Sequence, residues 1–277
     1  MKPKQSNKIH QGHKARKRFG QNFLIDTALI NAIAESAEPQ DTDHIVEIGP
    51  GLGAITGELV SSGAKITLIE LDRDLVARLR IDYHRQLSEG RVEIINEDVL
   101  KVDLDAVHQK AADKPTKLIG NLPYNISTPV LFHILNHKQH FLSMTFMLQK
   151  EVVDRLSAEP STSAYSALSV IIQHECYVEK LFDVPPESFR PPPKVDSAVV
   201  QMKPKAELAM PESDLPAFRD FVHKCFQQRR KTLRNNLKGM LEVEAIESLG
   251  INPQDRPEHL HLDDYLALFK LFQDKAA

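Results

Sequence analysis

A chain of 277 residues, 42% hydrophobic and 26% charged, has room for one large domain, or a large and a small one, around a substantial core. No apolar run approaches the roughly 18 residues needed to cross a bilayer, and no apolar segment follows the basic N-terminus, so neither a membrane protein nor a secreted precursor is expected. Only two cysteines occur, Cys176 and Cys225, far apart and without a zinc-type pair, which reads as reduced cytoplasmic thiols and no metal.

Net charge is −3, which taken alone argues against a nucleic-acid partner. Its distribution argues the other way. Lys2, Lys4, Lys8, Lys14, Arg16, Lys17 and Arg18 fall in the first eighteen residues without an acid, and Lys224, Arg229, Arg230, Lys231, Arg234 and Lys238 fall in residues 224–238, again without one. Residues 1–18 lack periodicity and are expected to be a flexible basic tail, either simply solvated or an arm that seeks phosphates. Asp26 is placed to cap a helix through about Ala37 whose apolar face carries Leu29, Ile30 and Ile33. His44–Ile48 reads as a strand, followed by Gly49-Pro50-Gly51-Leu52-Gly53-Ala54, a glycine loop that lets a backbone approach a nucleotide at a helix N-terminus. The next strand, Lys65–Ile69, ends in Glu70, 21 residues past Gly49, the spacing of an acid that binds ribose hydroxyls. A helix is expected around 74–86, then a strand Val92–Ile95 followed by Glu97 and Asp98. Further strands are expected at Lys117–Ile119, broken by Gly120, and around 141–148 and 198–202. The result is a mostly parallel α/β sheet with helices on both faces. His137/His140 and His259/His261 lie in polar stretches and read as solvated loop histidines.

Three successive strand ends thus carry a glycine loop with Glu47, then Glu70, then Asp98, which points to an adenosine-containing cofactor without choosing between a nicotinamide and S-adenosylmethionine. The run Gly120-Asn121-Leu122-Pro123-Tyr124 makes the choice. Asn121 offers a side-chain carbonyl, Leu122 a backbone carbonyl restrained by Pro123, and Tyr124 an aromatic face. Such a set suits an exocyclic amine on a flat ring, since stacking a base on an aromatic is worth roughly 1–3 kcal/mol. A hydride-transfer enzyme has no use for an amine clamp. Farther on, Pro185–Pro193 is a stiff proline-rich segment around Phe189. It is either an ordinary connection, a proline ligand for another protein, or a frame presenting Phe189 to the second face of a flipped base. From about residue 206 helical periodicity takes over. Leu215, Phe218, Val222, Cys225 and Phe226 continue through Leu233 and Leu237, Gly250 is placed as a C-cap, and Leu262, Tyr265, Leu266, Phe269 and Phe272 mark a last helix. The basic run Arg229–Lys238 is either a solvated face or a set of phosphate contacts.

Taken together, Arg18–Leu24 (RFGQNFL), Glu47–Thr56 (EIGPGLGAIT), Glu70–Asp72 (ELD), Asn121–Tyr124 (NLPY), Gln149–Glu151 (QKE), Phe189–Ser197 (FRPPPKVDS) and Arg229–Leu237 (RRKTLRNNL) resemble the ribosomal RNA adenine N6-dimethyltransferases, most of all their bacterial small-subunit (16S) branch. The resemblance implies a Rossmann-like class I methyltransferase domain at 19–205, a small helical RNA-binding domain at 206–277 and the cofactor S-adenosylmethionine. It also implies dimethylation of two adjacent adenosines near the 3′ end of 16S rRNA, in the immature small subunit, by a cytoplasmic and monomeric protein. Asn22 and Leu24 would then close over the methionine end of the cofactor, Gly49 and Gly51 pass beneath it, Glu70 hold the ribose, Asp98 read the adenine amine, and Asn121 sit between cofactor and target. Glu47 is either a cofactor or loop-orienting carboxylate or a structural one. In Tyr165-Ser166-Ala167-Leu168 a serine stands where the pattern leads one to expect glycine. Two other readings share many motifs: an assembly factor whose main task is binding the immature subunit, and the large-subunit enzymes of macrolide resistance.

Overall fold

The computed structural model describes residues 9–10, 12–14, 16, 20–111 and 114–276. Its strands are β1 (Ile9–His10), β2 (His13–Lys14), β3 (Phe23–Leu24), β4 (His44–Ile48), β5 (Lys65–Ile69), β6 (Val92–Ile95), β7 (Thr116–Asn121), β8 (Ser143–Gln149), β9 (Cys176–Val184), β10 (Phe189–Arg190) and β11 (Ser197–Pro204). Seven of them form one sheet in the order β6-β5-β4-β7-β8-β11-β9, parallel from β6 to β8, with β11 antiparallel to β8. The interior strands are apolar on both faces. β4 is buried at all five positions, and β7 and β8 at all but their last residues. That is the pattern of a parallel sheet covered by helices. The crossovers include helices Ala54–Ser61, Arg73–Asp82, Leu104–Gln109 and Ser127–Leu135.

Strand order turns around between β4 and β7. From β4 the chain moves outward through β5 to β6, then returns to β7 and moves the other way to β8. Ligands bind beyond the strand ends at such a switch point. Register makes those ends level, because Ile48 pairs with both Ile69 and Gly120, and Ile69 pairs with Ile95. Gly49, Glu70, Asn96 and Asn121 therefore emerge from the same edge of the sheet.

Helix Thr27–Ser36 begins as expected, with the Asp26 carboxylate accepting from the Ala28 and Leu29 amides. Four expectations need correction. Strand β9 was not anticipated, because its charged residues Glu179, Lys180 and Asp183 interrupt the apolar run. Gly120 does not break its strand; β7 runs through it, and a Cβ there would lie 2.6 Å from the Ile48 carbonyl oxygen. The N-terminal segment is not wholly a loose tail. β1 and β2 form an antiparallel hairpin, and Arg16 donates to Asp72 at 2.8 Å and also to Asp74. Lys2, Lys4, Lys8, Lys17, Arg18 and Phe19 lie outside the described residues.

The fourth correction concerns the domain boundary. Two compact units are present, one running to Val153 and resuming at Glu179–Pro204, the other comprising Asp154–Val178 and Lys205–Ala277. The second unit thus includes a segment assigned from sequence to the first. The reason is packing at long range: buried Glu175, at the end of helix Ala167–Glu175, accepts from Arg219 Nε and Nη2, both at 2.8 Å. Ser166, the departure from the glycine pattern, caps that helix in a reciprocal bond with Ser169. Within the same unit, helix Leu215–Cys225 ends before the basic run, and a separate short helix, Leu233–Asn236, follows, so the periodicity does not mark one continuous helix. Gly250, at φ +77°, terminates helix Val243–Ser248, and helix Leu262–Ala276 is as expected.

Candidate active site

A cleft of about 250 Å³ opens beyond the carboxyl ends of β4, β5 and β7. Its lining includes Asn22, Leu24, Glu47, Gly49, Gly51, Glu70, Asp98 and Asn121, so every residue assigned from sequence to the cofactor borders one space. Leu122, Pro123 and Tyr124 border it too.

Glycines make the floor. Gly49 and Gly51 hold φ of +67° and +61°, values that L side chains rarely adopt. A Cβ on Gly49 would meet the Asn121 carbonyl at 3.3 Å, and one on Gly51 the Phe23 ring at 3.4 Å. Both the left-handed backbone and these close approaches therefore favour glycine at the two positions.

Two carboxylates stand beside the floor. Glu70 accepts from the Asp72 amide at 2.8 Å and the Gly51 amide at 3.2 Å. Burial pushes its carboxyl up to about 7, against those two hydrogen bonds, which pull it down. Asn96 Nδ2 braces the same turn by donating to the Glu70 carbonyl at 2.8 Å. Glu47 is more enclosed; it accepts from Thr56 Oγ1 at 2.6 Å, and burial raises it to about 8. Asp98 spends one oxygen on the Leu100 amide at 3.1 Å, which leaves a second oxygen at the rim of the cleft.

Glu47 gives a stability test. Folded, it keeps its proton up to about 8; unfolded, it loses it near 4.5. Between those values the folded state binds the additional proton, so its contribution to stability falls as pH rises and levels off above about 8. Glu47→Gln removes that slope while keeping an oxygen for Thr56. Relative to wild type, the variant is expected to gain about 2–4 kcal/mol between about pH 5 and pH 8.5, at about 1.4 kcal/mol per unit. Calorimetric melting of both proteins across that range measures it, and parallel pH profiles would refute it.

The Asn121–Tyr124 run is held from three sides. Leu122, wholly buried, donates its amide to the Met147 carbonyl at 3.1 Å. Asn121 donates from Nδ2 to the Asn22 carbonyl at 3.4 Å, which leaves Oδ1 as an acceptor. Tyr124 Oη and Ser197 Oγ share a hydrogen bond of 2.6 Å, and burial raises the phenol despite it. Phe189 is not among the cleft's lining residues. It is 2% exposed, packs in the core cluster with Leu24 and Val199, and pairs across β3–β10 with Leu24. In this arrangement the Phe189 ring packs beside Leu24, outside the cleft lining.

Sequence reasoning gave no role to Asp72, Gln21, Asn96, Thr56 or Ser197. Asp72 is buried and gathers Arg16 at 2.8 Å, Gln21 Nε2 at 2.9 Å and the Asp74 amide at 3.1 Å. It thereby fastens the N-terminal segment beside Glu70. The signals were present in RFGQNFL and ELD, but no spacing rule links positions 51 residues apart. The basic residues Arg229, Arg230, Lys231, Arg234 and Lys238 are all exposed in the second unit. Arg229 is partly engaged, donating to the Ser163 carbonyl and, at 3.2 Å, to the Tyr165 carbonyl.

A switch-point cleft with a left-handed glycine floor and acids at successive strand ends marks an adenosine-cofactor α/β fold, and the Asn121–Tyr124 run bordering the same cleft places it in the class I methyltransferases. The cleft fits S-adenosylmethionine, because the glycine floor admits it and Glu70 and Asp98 can accept from its hydroxyls and amine. The description of the ribosomal RNA adenine dimethylases matches residues 12–274, and the chain belongs to that family. It is 47% identical over 273 residues to the ribosomal RNA small subunit methyltransferase A of Shewanella sp. (strain MR-7), covering 98% of this chain and all of that one. To the protein of the same name from Idiomarina loihiensis it is 46% identical, over 94% of this chain and 88% of the relative. Among solved structures it is similar to a dimethyladenosine transferase from Plasmodium falciparum, with a TM-score of 0.77 and 26% identity over 92% and 98% of the two chains. The 23S rRNA methyltransferase ErmE follows with a TM-score of 0.69 and 25% identity over 91% and 100%.

Proposed function

We propose that this protein transfers methyl groups from S-adenosylmethionine to N6 of two adjacent adenosines near the 3′ end of small-subunit (16S) rRNA, in the immature subunit. The observation that carries the reading is the convergence of the Asn121 carbonyl, the Leu122 backbone and the Tyr124 ring on the cleft that holds the cofactor residues. Bound there, S-adenosylmethionine supplies an electrophilic methyl group.

The protein's own part is to make a poor nucleophile competent. The lone pair of an aromatic amine is delocalised into its ring. Accepting both N6 protons on Asn121 Oδ1 and the Leu122 carbonyl favours a more tetrahedral nitrogen and frees the lone pair. Pro123 restrains the Leu122 backbone, the Met147 carbonyl anchors its amide, and Ser197 fixes Tyr124 as the stacking platform. Positioning and fixed dipoles carry the catalysis, with no general base required, because the proton leaves to solvent after transfer. Asn22 and Leu24 close the site, Gly49 and Gly51 floor it, Glu70 holds the ribose, Asp98 reads the cofactor's adenine amine, and Glu47 orients the loop through Thr56.

Arg229, Arg230, Lys231, Arg234 and Lys238 contact rRNA phosphates, supported by their uniform exposure and the lack of an acid between 224 and 238.

The likeness to ErmE keeps a large-subunit substrate in play as the competing reading. Labelled S-adenosylmethionine offered to unmethylated small subunits, large subunits and naked rRNA decides it, with the product read by mass spectrometry. Dimethyladenosine in small subunits alone is the expected result; label in the large subunit would overturn the substrate assignment.

A further inference from the structure

His137 and His140, set aside as solvated loop residues, are brought together with Asp105 outside the lining of the cleft. Asp105 lies in helix Leu104–Gln109, which precedes β7; His137 and His140 lie in the connection that follows helix Ser127–Leu135 and leads to β8. One carboxylate oxygen, Asp105 Oδ1, is 2.8 Å from His137 Nδ1 and 2.6 Å from His140 Nε2, and the three ligand atoms lie within 4.8 Å of one another. Two further imidazoles frame them. His108 stacks on His140 with ring centres 4.3 Å apart, and its Nδ1 lies 3.2 Å from Thr116 Oγ1. His133 meets His137 edge-on at 5.3 Å, and its Nε2 donates to the Val102 carbonyl at 3.2 Å. The rings are thus oriented by neighbours.

We propose that Asp105, His137 and His140 form a binding site for a divalent transition-metal ion of the zinc class. Two imidazole nitrogens and one carboxylate oxygen are the donor set of an open zinc site, in which water completes a tetrahedron. Bonds of about 2.0–2.2 Å place tetrahedral ligand atoms roughly 3.3 Å apart. The present oxygen–nitrogen separations of 2.8 and 2.6 Å therefore need to open by about 0.5–0.7 Å. Each ring then carries its proton on the nitrogen facing away from the ion. Side-chain exposure of 49% at Asp105 and 21% at each histidine leaves the site open to exchange and to a water ligand. Oxygen-only ions such as magnesium are disfavoured by the two nitrogens. The site ties the segment entering β7 to the segment leaving it, the same two that the His133–Val102 bond links, so the ion acts as a staple on the strand that delivers Asn121 and not as a participant in transfer.

Metal-stripped full-length protein titrated with Zn²⁺ is expected to bind one equivalent at this site and to melt roughly 5 °C higher at a hundredfold excess over Kd. Co²⁺ in the same site gives the intense visible bands of tetrahedral coordination. Asp105→Asn and His140→Ala each weaken binding at least about tenfold, the scale on which lost ligand support is felt, whereas His84→Ala, at an exposed histidine elsewhere, leaves it unchanged. Should the variants fold poorly, X-ray absorption of zinc-loaded wild type reads the ligands directly, two imidazoles and an oxygen. Equal binding in all variants, no binding by wild type, or a different imidazole count would overturn the assignment.

Discussion

Replacing Asn121 by alanine is expected to lower methyl transfer by roughly 100- to 1000-fold in kcat, the loss seen when one preorganised dipole is taken from a reacting group. The Leu122 carbonyl remains, but a single acceptor neither bends the amine nor fixes its direction. Melting temperature is expected to stay near wild type, because among the described residues the Asn121 side chain makes one hydrogen bond, the long one of 3.4 Å to the Asn22 carbonyl. Asn121→Asp keeps the acceptor oxygen but replaces the donating Nδ2 with a second oxygen and sets a negative charge against that carbonyl, so it is expected to rescue only partly. Single-turnover transfer to small subunits, with the base analysed by mass spectrometry, measures all three proteins. Activity of Asn121→Ala within threefold of wild type would remove the clamp from the mechanism. The same variant separates enzyme from assembly factor: unchanged binding to precursor subunits with a largely rescued growth defect would put binding, not methylation, first.

Gly120→Ala is expected to be the most damaging single methyl group in the sheet. Its Cβ would lie 2.6 Å from the Ile48 carbonyl oxygen and 3.2 Å from the Ile48 Cβ, and the first of these is a backbone atom in the neighbouring strand. Relief requires β4 and β7 to separate at the rung where Ile48 pairs with Gly120. Overpacking of this kind costs about 2–3 kcal/mol, or roughly 5–10 °C of melting temperature in a protein of this size. Activity should fall further than stability does, because the same displacement carries Asn121 and Gly49 apart across the switch point. Thermal melts and kinetics at a temperature where the variant is folded test both parts. A variant that melts within about 2 °C of wild type would mean that the strands part without strain.

Local chemistry explains which parts of the site were legible in the sequence. Glycine loops, an acid at a strand end and a proline after an acceptor carbonyl are short-range patterns, set by steric limits on the backbone and by the spacing of strand and turn. Gly49, Glu70, Asp98 and the Asn121–Tyr124 run were readable for that reason, and the cleft gathers all of them. Phe189 was legible only in part, because a proline frame says that a side chain is held, not toward what. The partner that decides is Leu24 in β3, 165 positions earlier, and together they bury the ring.

The sequence alone determined an α/β sheet with a glycine loop, acids at successive strand ends, the Asn121–Tyr124 run and a helical, basic C-terminal part, because those features are written in residues close together in the chain. Tertiary structure alone decided the rest. It levelled four strand ends through register, made Gly120 obligatory through the approach of Ile48, and folded Asp154–Val178 into the second unit. It raised Glu47 and Glu70 by burial, fastened Arg16 and Gln21 to Asp72, and set Asp105 against His137 and His140. Each of these depends on which distant surface a side chain meets and how much water is left there, and neither quantity exists until the chain has closed on itself.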